Sequence, residues 1–233
     1  MLEQLIEWDK DIFLFLNAKH SAFLDIFMWV VSSKEIWVPS ILAFLYVIFK
    51  DKRKEIFLII FHVFLLILIS DQISSSIFKP LVERLRPSRE PSLEGLVHIV
   101  NNYKGGKYGF LSSHSANAFS FALFSSLLFK HRFYTFVIFI WAALNSYSRI
   151  YLGVHYPLDI IAGMFLGLSV ALGMYYLYKY IKKIYPSLNL SINKKGYTKS
   201  GYAKQNISLL LLTLLLTFII LFISALKCIV FIV

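Results

Sequence analysis

The stretch from Ile207 to Val233 holds 27 residues and a single charge, Lys227. At 1.5 Å of rise per residue such a run spans the roughly 30 Å of a bilayer's hydrocarbon. It must be helical there, because lipid offers backbone N–H and C=O groups no partner. Two further segments have the same character: Glu55–Phe78, with His62 and Asp71 inside it, and Pro157–Tyr180. Ile36–Phe49, His114–Phe129 and Phe133–Tyr147 are shorter apolar runs. A chain of 233 residues that is 58% hydrophobic and 16% charged has too little interior to hide this surface as a water-soluble domain. The expectation is one all-α domain over residues 1–233, a polytopic membrane bundle of about five to six transmembrane helices.

Residues 1–34 read differently. Leu2, Leu5, Ile6, Ile12, Phe13 and Leu16 recur at helical spacing among charged residues, which predicts an interfacial amphipathic helix. The opening MLEQLIEWDKD is acidic and lacks the basic start of a secretory signal. Ala22–Val31 is too short to span. It is either interfacial or an extension of the next helix through Ser32-Ser33-Lys34. Residues 181–206 form a basic loop ahead of the span at 207–233, and no internal repeat is visible.

The net charge of +11 would suggest nucleic acid as a partner in a soluble protein. Here no soluble segment interleaves aromatic and basic residues, and nucleic acid is set aside. The cations fit loops beside anionic lipid. The hairpins at 50–54 and 130–132 and the stretch 179–204 carry 13 Lys and Arg residues, against 10 on the other side of the alternation. The first set is therefore expected in the cytoplasm and the 79–113 loop outside. Cys228, the only cysteine, excludes an intrachain disulfide and a cysteine-based metal site.

Three polar clusters fall on that outer side: Lys79 to Arg86 and Pro87, Ser112-Ser113-His114, and Ser148-Arg149 through His155 to Asp159. Charges beside lipid need a chemical reason. Lys79, Arg86 and Arg149 are three cations suited to surround a phosphate. Ser112 and Ser113 open a helix, where hydroxyls and free amides favour an anion. Pro157 suits a first helical turn, which puts Asp159 in that turn and His155 just before it. The carboxylate is then placed to accept the Nδ1–H of His155, leaving Nε2 free for attack at phosphorus. A second imidazole, His114, fits the acid–base role.

These segments resemble the motifs of the type 2 phosphatidic acid phosphatase family, written K-x6-R-P, P-S-G-H and S-R-x5-H-x3-D. The likeness covers residues 79–159. Lys79, Arg86, Pro87, Ser148, Arg149, His155 and Asp159 match at every fixed position of the first and third motifs. In the second motif Ser112 and His114 are kept, but Leu111 stands for the proline and Ser113 for the glycine. The resemblance implies a membrane phosphatase that needs no metal and no cofactor. His155 forms a phosphohistidine. His114 protonates the leaving group and then activates water. Lys79, Arg86, Ser112 and Arg149 hold the phosphoryl oxygens, and Ser113 is added to them here.

The expected partners are a lipid phosphate substrate and the membrane itself, with no obligate protein partner. The expected setting is a bacterial inner membrane with the site facing the periplasm. Undecaprenyl diphosphate ranks first as substrate. Phosphatidylglycerol phosphate, phosphatidic acid and lipid A 1-phosphate are the alternatives, and a lipid phosphotransferase or a non-catalytic anion site are the rival functions. Asp71, at helical spacing from Ser75 and Lys79, is read as a partner of Lys79 or an interior polar contact. His98, Arg84, Arg89, Lys104 and Lys107 read as solvated loop residues, and His20 and His131 as interfacial.

Overall fold

A computed structural model describes residues 1–188 and 195–230. Lys194 of the basic loop and residues 231–233 of the last predicted span lie outside the described residues. Eight helices account for the architecture, with no β-strand among the described residues. They are α1 (Leu2–Asn17), α2 (Ala22–Ser32), α3 (Val38–Asp51), α4 (Ile56–Val82), α5 (Ser113–Phe129), α6 (Arg132–Tyr151), α7 (Pro157–Ile184) and α8 (Lys204–Val230). Three of them, α4, α7 and α8, are long and apolar enough to cross a membrane by length and composition. The large exposed side chains on α4 and α7, such as Phe57, Phe64, Leu81, Phe165 and Tyr176, face outward as a lipid-facing surface requires.

The pair α5 and α7 makes the most extensive helix contact in the bundle. Gly163 and Gly167 explain it. A Cβ at Gly163 would lie 2.5 Å from the Ser112 carbonyl, and one at Gly167 would lie 2.2 Å from the Ala116 carbonyl. Only glycine allows the two backbones this close, the small-xxx-small logic of membrane helices. The contact sets the first turn of α5 against the first turn of α7.

The N-terminal segment is bent. α1 and α2 meet at 115°, and the break at Ser33 separates α2 from α3, so α2 does not extend the next helix. α2 packs against α6 and α8. Asn17, at the end of α1, is 1% exposed. Its amide donates to the carbonyls of His98, Ile150 and Tyr151, and its Oδ1 accepts from the His98 amide. One side chain thus ties α1 to the end of α6 and to the long loop.

α4 is not regular to its end. Residues Ile73–Phe78 form a π-helical segment. Its wider turns rotate the residues after it relative to an α-helical count.

Candidate active site

The three predicted clusters converge at one end of the bundle. Ser112 caps α5: its hydroxyl accepts from the Ser115 amide at 3.4 Å, and its own amide donates to the Asp159 carbonyl at 3.0 Å. Ser112 is fully buried, so its hydroxyl serves the helix start before any ligand. Ser113, at the first position of α5, accepts from Lys79 Nζ at 2.8 Å and from Ser74 Oγ at 2.7 Å. The residue that replaces the motif glycine thus fixes the lysine of the first motif.

Asp71 makes no direct ion pair with Lys79, but its carboxylate acts on the ammonium through space, and its backbone carbonyl accepts from the Ser75 hydroxyl at 2.6 Å. The π-helical segment Ile73–Phe78 lies between the two residues.

The third motif supplies the imidazole. Gly153 turns the chain out of α6 with φ +76°, and a Cβ there would lie 2.8 Å from the His98 carbonyl. His155 follows, 2% exposed. Its Nδ1 faces Asp159 Oδ2 at 3.4 Å, and Arg86 Nη1 lies 3.1 Å from its Nε2. A guanidinium only donates. Nε2 therefore accepts, and the ring proton sits on Nδ1, toward the carboxylate. Burial, then Arg86, Arg149 and Lys79, push the His155 imidazole well below the ordinary 6.5. The ring is neutral, in the tautomer that a nucleophilic Nε2 requires.

Asp159 sits in the first turn of α7, fully buried. Oδ2 accepts from the Tyr156 amide at 3.0 Å and Oδ1 from Arg84 Nη1 at 3.1 Å. Arg84 also donates to Asp9 Oδ2 at 2.7 Å and lies over the Tyr156 ring at 3.9 Å. Asp9 Oδ1 in turn accepts from the Leu158 amide at 2.9 Å. Arg84 is thus not a solvated loop residue. It bridges the N-terminal helix and the Asp159 carboxylate that faces His155 Nδ1. Its place between Lys79 and Arg86 was the sequence signal; Asp9, 2% exposed in a helix that reads as interfacial, carried none.

Arg149 is 4% exposed. It donates to Ser32 Oγ at the end of α2 and to the Tyr103 hydroxyl at 3.3 Å. Its Nε has no partner among the described residues. His114 lies in the first turn of α5, within electrostatic reach of Arg149 and His155. His98 is not free in solvent either: it pairs with Asp25 at 2.8 Å and stacks on His20 at 3.9 Å.

Lys79, Arg86 and Arg149 share one property. Among the described residues none makes an ion pair. Their partners are hydroxyls, carbonyls and an imidazole. Three half-buried to buried cations with neutral partners leave a concentrated positive field, the arrangement that receives an anion such as phosphate.

A membrane-embedded helix bundle with a cluster of cations around a buried imidazole defines a class of phosphate-handling membrane enzyme. The chain belongs to the PAP2 superfamily, whose family model matches residues 60–183. It is 41% identical over 214 residues to a lipid A 4'-phosphatase of Porphyromonas gingivalis, covering 91% of this chain and 89% of that one. It is 43% identical over 169 residues to a lipid A 4'-phosphatase of Bacteroides thetaiotaomicron, covering 72% and 75%. In fold it matches the crystal structure of Aquifex aeolicus LpxE, with a TM-score of 0.57 and 24% identity over 70% of this chain and 92% of that one. The protein is a membrane lipid phosphatase.

Proposed function

We propose that the protein removes the 4'-phosphate of lipid A through a phosphohistidine on His155, at the periplasmic face of a bacterial inner membrane. The sequence ranks undecaprenyl diphosphate first; the Porphyromonas and Bacteroides relatives move lipid A ahead of it, and the 4' position ahead of the 1 position.

The observation that carries the chemistry is the contact of Arg86 with His155 Nε2, which leaves a lone pair there and the proton on Nδ1. An entering phosphate draws the Arg86 donors onto its oxygens and takes their place in front of Nε2. Nε2 forms a bond to phosphorus as the bond from phosphorus to the lipid oxygen breaks. His114 gives its proton to that oxygen. Asp159 stabilises the charge that appears on the His155 ring. In the second half His114 takes a proton from water, the water oxygen attacks phosphorus, and the N–P bond breaks to release phosphate. Lys79, Arg86, Arg149 and the Ser113 hydroxyl stabilise the equatorial oxygens throughout, the work of cations in phosphoryl transfer.

The test is phosphate release in detergent from lipid A, undecaprenyl diphosphate, phosphatidylglycerol phosphate and phosphatidic acid, each offered alone. Lipid A is expected to give the highest kcat/KM, with mass spectrometry showing loss at the 4' position. A clear preference for another lipid removes the substrate assignment and leaves the phosphatase. No free phosphate with any single lipid points to a transferase. Orientation is tested by Ser92→Cys in a Cys228→Ser background, where an impermeant maleimide is expected to label intact spheroplasts. Labelling only after lysis inverts the topology.

A further inference from the structure

A second cationic cavity lies at the other end of the bundle. Glu55 precedes α4 and Lys79 comes 24 residues later, so roughly 36 Å of helix separates that end from the reacting site. The cavity has a volume of about 540 Å³ and is lined by Lys52, Lys130, Lys179, Lys182, Lys183 and Lys199. These lysines come from the α3–α4 hairpin, the α5–α6 hairpin, the end of α7 and the approach to α8. Segments distant in sequence thus bring six ammonium groups to one concavity.

Two carboxylates oppose them among the described residues: Asp51, which acts on Lys52 through space, and Glu55. Glu55 is fully buried and accepts from Lys182 at 2.9 Å and from the Tyr178 hydroxyl, with Lys52 at 3.6 Å. It organises the floor and answers a fraction of the charge. Lys130, Lys179, Lys183 and Lys199 are exposed at the rim. The Tyr202 ring, 1% exposed, also lines the cavity, and its hydroxyl has no hydrogen-bond partner among the described residues. A buried hydroxyl without a partner is costly unless something supplies one. A ring of like charges is costly in the same way, and a concave wall of low dielectric focuses its field. An anion with several oxygens relieves the crowding of the lysines.

We propose that this cavity binds a multiply charged phosphate head group at the membrane surface opposite the reacting site. Lysines suit holding rather than reaction, because an ammonium is a point charge on a flexible stem and imposes no bidentate geometry. Basic pockets between membrane helices recognise anionic lipid head groups in this manner. The phosphate can come from a lipid of that leaflet or from solution.

The two sources separate in a lysine-acetylation footprint of the full-length protein in phosphatidylcholine nanodiscs. One arm adds diphosphatidylglycerol to the disc and the other adds methylenediphosphonate to the buffer. Neither probe is a phosphomonoester that the reacting site consumes. Acetylation of Lys130, Lys179 and Lys199 is expected to slow by about ten-fold where the source is right, as for a ligand near ten times its Kd. Lys50 and Lys54, exposed and outside the cavity, report general surface charge. Slowing in the lipid arm identifies a lipid head group; slowing only in the diphosphonate arm identifies a soluble phosphate. No slowing in either arm, or equal slowing at Lys50 and Lys54, overturns the proposal. The variant Lys130→Gln/Lys179→Gln/Lys199→Gln is expected to retain one fewer diphosphatidylglycerol in native mass spectrometry if the lipid is the ligand. An unchanged number after a positive lipid arm also overturns it.

Discussion

The two ends of the bundle both gather cations, but they hold them differently. At the proposed reacting end Arg86 and Arg149 are 8% and 4% exposed; two carbonyls and an imidazole hold the Arg86 guanidinium, and two hydroxyls hold that of Arg149. At the opposite end lysines dominate, most of them exposed, with Glu55 as the shared anchor of Lys52 and Lys182. Fixed donors with neutral partners lower a transition state, because they need no reorganisation as charge develops. Mobile lysines at a rim attract an anion without directing its chemistry. The difference predicts which end responds to subtle substitutions.

The largest effect is expected at His155, the proposed nucleophile. His155→Ala is expected to lower kcat by at least about 10⁴-fold, the scale seen when a covalent catalytic unit is broken. His114→Ala is expected to retain the first step with p-nitrophenyl phosphate, whose leaving group needs little protonation. An acid-labile, base-stable phosphoryl adduct then accumulates on His155 in rapid-quench mass spectrometry. An adduct on His114 would exchange the two roles.

Next comes the geometry of the cations. Arg149→Lys keeps the charge but loses the planar fork that reaches Ser32 and Tyr103. A loss of about 10²–10³ in kcat is expected, comparable to removing one preorganised donor. A loss smaller than three-fold would show that charge alone suffices, and would erase the contrast between the two ends.

A smaller effect is expected at Asp9, a positioning residue that acts through Arg84. Asp9→Asn weakens the grip on Arg84 and so the orientation of Asp159. About ten-fold is expected in kcat with KM unchanged, within the range for outer-shell partners. Equal loss in both parameters, or none, would make α1 an anchor without a role in positioning.

The smallest effect is a shift of the pH profile. Burial and the nearby cations depress the His155 pKa, so its neutral form persists below pH 6.5 and the acid limb of kcat/KM lies there. Arg86→Gln removes one of those cations. The folded pKa then rises toward 6.5, and the acid limb moves to higher pH. An acid limb that stays put or moves lower contradicts the field assigned to Arg86.

Much of this protein was legible in its sequence. Apolar runs near bilayer length announced the helices, because lipid leaves the backbone no alternative. The spacing from His155 through Pro157 to Asp159 announced a helix start with a carboxylate beside an imidazole, since a first turn puts those positions within reach. Motif residues that are near in sequence carry their geometry with them.

The remainder depended on tertiary structure. The π-helical segment at Ile73–Phe78 departs from the α-helical count, and no sequence periodicity reveals it. Gly163 and Gly167 set α5 on α7 through a backbone contact that is visible only once both helices are placed. Asp9, Ser32, Tyr103 and Arg84 reach the site from segments that read as interfacial or solvated. Composition and periodicity report whether a residue prefers water or lipid. Which cation meets a carboxylate and which is left for a phosphate is decided by packing, because that choice depends on partners as far as 149 positions away, as Asp9 is from Leu158.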